Sequence, residues 1–195
     1  MGNEHHQIGN TIRLYTAQMP PVLEAIRRDG FCTSRASYVQ KKYEESAGSF
    51  LEVYQWFAKE AAKIVPLPDG AELPYWAFED IYNVEASDQD DHVLTLDVPK
   101  DQVILFDMFD WTKLMRFEYL GETPQEEKAF KEELRECGLR EYDVMMSRFY
   151  PEWKARILAS WERLFHHHEA LLRGDHTGVH SVQAALWKIE KKWIV

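Results

Sequence analysis

The sequence predicts a single α+β domain over residues 1–195: a small mixed or antiparallel sheet with several helices packed on it. Three observations point there. Residues Ile12 to Gln18 alternate as a strand and run straight into a helical segment closing at Gly30. Further strand signals recur at Pro74 to Phe78, His92 to Val98, Val103 to Asp107 and Val182 to Ile189. Helical patterns fall between and after these runs, so the order is strand, helices, several strands, helices, then a terminal strand or hairpin, which is α+β in class.

Alternation along the first strand puts Arg13, Tyr15 and Ala17 on one face and Leu14, Thr16 and Gln18 on the other. Pro20 and Pro21 suit the first helical turn, where a missing N–H costs little; Val22, Leu23 and Ile26 make the apolar stripe, and Gly30 stops the helix. Ala36 to Ile64 reads as helix in one or two pieces with Gly48 as the break, and Phe50, Val53, Tyr54 and Phe57 mark its buried face. Pro66, Pro68 and Gly70 form a loop, followed by the buried strand around Trp76 and an acidic stretch through Asp91. The strands at 92–98 and 103–107, separated by Pro99, Lys100 and Asp101, read as a hairpin or tight corner. Phe109 to Tyr119 is helical, Thr123 caps a helix running toward Cys137 and Gly138, and another helix occupies much of Pro151 to Glu169. Val182 to Ile189 and Trp193 to Val195 close the chain as strands tied into the sheet.

A net charge of −10, from 33 acidic and 23 basic residues, opposes general nucleic-acid binding, because phosphate backbones require a positive surface. The run from Asp88 to Asp91 is solvated loop. Only Cys32 and Cys137 occur, widely separated, so neither a disulfide framework nor a cysteine zinc site is expected. Residues 1–10 are polar and expected to be disordered, and no apolar run approaches a membrane span. A cytoplasmic location follows as the default.

Thr16 and Gln18 place a hydroxyl and an amide on one face at the end of a strand. Both donate and accept without ionising, which suits recognition of a neutral, flat, polar ligand; the other reading is that one of them caps the next helix. On the last strand, Gln183, Ala185 and Trp187 share a face, an amide beside a small residue and an indole able to stack. If first and last strands are neighbours, the two sets converge on a cleft. Arg13, Tyr15, Thr16, Gln18, Trp76, Asp107, Gln183 and Trp187 form the expected ligand-binding set. Asp107 and Asp110 bracket a strand-to-helix junction, where one caps the helix and the other faces the cleft. His166, His167 and His168 point about 100° apart on a helix, so no metal site is expected from them with His176 and His180; a solvated helix end is. No catalytic residue can be assigned. The alternative to a ligand-binding domain is an interaction module using some of the seven tryptophans for a protein partner; Trp153 and Trp161 belong to the apolar set of the 151–169 helix, and finding them exposed as a cluster would favour this alternative.

Leu14 to Gln18, Gly30, Leu94 to Pro99 with Asp107 and Trp111, Ser160-Trp161, and Gln183 to Trp187 together resemble a bacterial family known only as domain of unknown function 3841. More distantly, the chain resembles ADP-ribosyltransferase-like folds, which open Leu-Tyr-His-x-Thr, continue into a helix and a Gly, and close with a strand beginning Gln-Ala-Glu. That resemblance implies NAD or a related nucleotide as ligand. It sets Thr16 and Gln18 at the His-x-Thr positions and Ala185 at that of the glutamate. Alanine cannot supply the anionic charge such a transfer needs, so the resemblance implies a degenerate, binding-only site, or an active transferase in which Glu79 or Asp107 acts instead.

Overall fold

The computed structural model describes residues 9–34, 47–85 and 91–195. Residues 1–8, 35–46 and 86–90 lie outside the described set, and with them most of the expected N-terminal disorder, residues 36–46 of the expected 36–64 helix and most of the acidic run. Gly9 and Asn10 form a turn whose Asn10 carbonyl accepts from Lys100 N at 3.0 Å.

Strand β1 (Thr11–Gln18) lies between β4 (His92–Pro99) and β3 (Tyr75–Phe78); β6 (Val182–Leu186) lies beyond β3, and β5 (Ile104–Asp107) forms the far edge. Every pairing in this five-stranded sheet is antiparallel. A second, two-stranded sheet joins β2 (Phe31–Thr33) to β7 (Lys188–Glu190). The architecture is α+β, as expected, with an antiparallel rather than mixed sheet.

Several local expectations give way to tertiary constraints. The strands around Pro99 are not a hairpin, for β4 and β5 form opposite edges of the sheet. Four strand spacings amount to roughly 19 Å, whereas the five steps from Pro99 to Ile104 span at most about 18 Å, so the sheet must coil to bring its edges together. The last strand is interrupted at Trp187, a 3₁₀ turn (Lys191–Trp193) follows β7, and Ile194 makes only an isolated bridge to Leu96. Gly48 is the second residue of α2 (Ala47–Ala61); the expected break there turns on the residues before Ala47, which lie outside the described set. Helix α1 (Pro20–Asp29) ends as expected at Gly30, whose φ of +84° lets its N–H return to Ile26 O. Its N-cap is Met19, with no side-chain bond, so neither Thr16 nor Gln18 caps it.

Helices α3 (Met108–Met115), α4 (Pro124–Glu136), α5 (Glu141–Met146), α6 (Pro151–Trp161) and α7 (His168–Leu172) complete the order. Thr123 caps α4 through its hydroxyl, which accepts from Glu126 N at 3.2 Å. The helix expected over 151–169 is divided by a 3₁₀ segment (Glu162–Phe165) before α7. Apolar residues separate into two cores, one on each face of the sheet. On one face Ile104, Phe106, Ala185 and Trp187 pack with Phe57, Trp111 and Trp161; on the other Ile12, Leu14, Ala77, Leu96, Leu105 and Ala184 pack with Val22 and Ile26. Alternation across the strands produces this division. Trp161 is fully enclosed, its indole N–H bonded to Glu118 O at 2.8 Å, and Trp153 lies under the Arg156 guanidinium, so the exposed tryptophan pair is not formed.

Candidate functional site

Register decides which polar residues meet. Thr95, Tyr15, Phe78, Gln183 and Phe106 are successive cross-strand partners, forming one row over β4, β1, β3, β6 and β5. Directly opposed residues of antiparallel strands share a face. Gln183 therefore sits between Phe78 and Phe106 on the face that carries Tyr15. It is 4% exposed, and its Oε1 has no hydrogen-bond partner among the described residues. Toward β4 the same face is less buried: Arg13, Tyr15, Ala17, Thr95 and Asp97 are only half-buried and Val93 is exposed. Trp76, two residues before Phe78, shares this face. Its N–H donates to Tyr54 OH at 3.0 Å, and its ring lies 4.8 Å from that of Trp111.

Arg13 donates from Nε and Nη2 to the two oxygens of Asp97, both at 2.9 Å. Hydrogen bonding within the pair raises the Arg13 pKa and holds the Asp97 carboxyl below its ordinary value. The cation is thereby neutralised, and the surface beside Tyr15 favours neutral polar groups over anions.

The set named from sequence does not assemble as one cleft. Strand β3 separates β1 from β6, and Thr16 and Gln18 lie on the sheet face opposite Gln183 and Ala185. Thr16 is 1% exposed; its hydroxyl donates to Trp76 O at 2.7 Å and accepts from Gln18 Nε2 at 2.8 Å. Both residues thus bond internally. Trp187 is enclosed in the core, donating from its indole to Val65 O at 2.7 Å. Arg13, Tyr15, Trp76 and Gln183 do share a face. Phe78 belongs with them, and its place two residues after Trp76 in a strand was the available signal.

Asp107 stands at the end of β5, nearly fully buried. Its Oδ1 caps α3 by accepting from Phe109 N at 2.9 Å, and its Oδ2 accepts from both the backbone N and the Nδ1 of His180, at 2.8 and 2.9 Å. Asp110, in the first turn of α3, sits 3.4 Å from Lys113; burial raises its pKa more than that neighbour lowers it. His176 of the same loop as His180 has Nε2 at 2.8 Å from Glu79 and Nδ1 at 3.1 Å from Gly174 O. His168 contradicts the solvated helix end expected for the histidine run: it is buried, and its Nδ1 accepts from Leu105 N at 3.1 Å. Among the described residues no three His, Cys, Asp or Glu side chains gather as a metal site. No helix of the described residues is long and apolar enough to cross a membrane. A depression of about 440 Å³ follows one face of α4, but its walls, including Lys128, Lys131 and Arg135, are mostly exposed side chains of a single helix.

The family model described as a domain of unknown function (DUF3841) matches residues 13–195. The chain belongs to this family. No curated protein and no solved structure matches it. The matched span in this DUF3841 protein includes the whole cross-strand row and both histidines of the 176–180 loop.

Proposed function

We propose that this protein is a ligand-binding domain whose site is the half-covered sheet face around Gln183, and that its ligand is flat, polar and nucleotide-like. The observation that carries this reading is the unpartnered Oε1 of Gln183, enclosed between aromatic cross-strand neighbours. A buried acceptor without a donor costs folding free energy, and a planar ligand with an N–H group repays that cost by supplying the bond. Tyr15, Trp76 and Phe78 offer ring surface to its plane. The paired state of Arg13 favours recognition through the neutral base-like part over recognition through a phosphate.

Gln183→Met tests this directly, since it keeps side-chain length and removes the amide. Titration with adenine and nicotinamide nucleotides, followed by calorimetry and tryptophan fluorescence, is expected to show binding by the parent protein that weakens by roughly 1–3 kcal/mol in the variant. The folded state itself should gain up to about 1 kcal/mol, because an unpaired buried acceptor disappears. Equal nucleotide affinity in the two proteins would remove Gln183 from the site.

The distant likeness to ADP-ribosyltransferase-like folds enters this proposal only as a degenerate form. With a methyl group at Ala185 and the Asp97 carboxylate on this face already paired with Arg13, no free carboxylate among the described residues of the Gln183 face is placed to stabilise a ribosyl cation. Incubation with labelled NAD is therefore expected to release no nicotinamide above buffer; release abolished by Gln183→Ala would refute the binding-only form.

A further inference from the structure

We propose that Asp107 and His180 form a proton-transfer dyad that hydrolyses an ester carrying an aromatic group, a function separate from ligand binding at Gln183. Two imidazoles occupy the loop before β6, and their surroundings differ in the respect that matters. Both nitrogens of His176 face oxygen acceptors, Glu79 and the Gly174 carbonyl, so its ring is taken up by structural bonds. His180 uses one nitrogen only. Asp107 accepts and cannot donate, so the proton of the neutral ring sits on Nδ1 and the lone pair on Nε2. The His180 side chain is 73% exposed and that of Asp107 is 3% exposed, which gives a buried orienting carboxylate behind a solvent-facing base.

The division of labour within Asp107 supports a role beyond anchoring. Oδ1 alone caps α3, and the backbone N–H of His180 alone would tie the loop to Oδ2. The additional bond to Nδ1 fixes ring orientation and tautomer, which a general base requires. Phe109, half-exposed in the first turn of α3, lies with its ring centroid 5.3 Å from that of the imidazole, offering an apolar surface beside the ring for an aryl group. In the step, Nε2 takes a proton from water as the water oxygen bonds to the ester carbonyl carbon. The tetrahedral adduct then expels the aryl oxide with the bonding electron pair, and the imidazolium returns its proton to that oxygen. Acid and phenol are the products, and no oxidant or cofactor enters.

The test uses the full chain and p-nitrophenyl acetate. His180→Asn retains an amide N–H able to reach Asp107 while removing Nε2, so a purely structural bond survives and the base does not. The protein-dependent rate is expected to fall at least about tenfold, with an unchanged circular dichroism spectrum. His176→Asn should leave the rate unchanged. Asp107→Asn, which changes a positioning residue, should lower kcat with little effect on KM. An unchanged rate in His180→Asn, an equal loss in His176→Asn, or no hydrolysis above buffer by the parent protein would each overturn the dyad. None of these results depends on nucleotide binding at Gln183.

Discussion

Phe57→Ala is expected to destabilise the protein by about 3–5 kcal/mol, the range for deleting a fully enclosed aromatic ring. Phe57, from α2, has no exposed surface, and its ring meets those of Trp76, Phe106, Trp111 and Phe165 at centroid distances of 5.2–5.5 Å. The cavity left behind would adjoin the rigid sheet on one side and α3 on the other, so collapse could fill little of it. Urea unfolding of the variant should show a much lower midpoint at similar slope. Phe149→Ala serves as the contrast, since that ring is 82% exposed and its loss should cost less than about 0.5 kcal/mol. Because Trp76 packs on Phe57, nucleotide binding should weaken in the same variant. A midpoint shift no larger than that of Phe149→Ala would show that the aromatic cluster does not hold this face of the sheet.

The second large effect concerns His168 and has a definite sign with pH. Strand β5 is an edge, and the Leu105 N–H is satisfied by the imidazole Nδ1 rather than by another strand. That bond requires a neutral ring with its proton on Nε2. Burial lowers the pKa of His168 from its ordinary 6.5, with Glu169 opposing the shift weakly. The unfolded chain takes up a proton as pH falls below 6.5 while the folded chain does not. The contribution of His168 is therefore complete above about pH 6.5 and is lost as pH falls from there through the depressed folded value. His168→Leu leaves Leu105 N–H buried and unpaired, at a cost of about 1–3 kcal/mol. His168→Asn can retain an acceptor but not the titration, so its stability should vary less than that of the parent between pH 6.5 and 5. Parallel stability curves for the parent and the asparagine variant over this interval would refute the assignment.

Local chemistry made some of this molecule readable from its residues in order. Gly30 ends α1 because a left-handed φ is open to glycine, Asp107 and Thr123 cap helices because their side-chain oxygens reach nearby N–H groups, and period-two alternation marks the faces of β1 and β3. The interior position of most tryptophans follows equally from their apolar area. Tertiary structure alone decided strand order and register. Inserting β3 between β1 and β6 sends Thr16 and Gln18 to one side of the sheet and Gln183 to the other, an outcome hidden in the sequence because pairing across sixty or more residues leaves no local periodicity. It also paired Asp107 with His180 by making β5 and β6 neighbours, and buried His168 against an edge strand where composition suggested a solvated helix end. Alternation states which residues share a face within a strand; only the packed sheet states what lies opposite them.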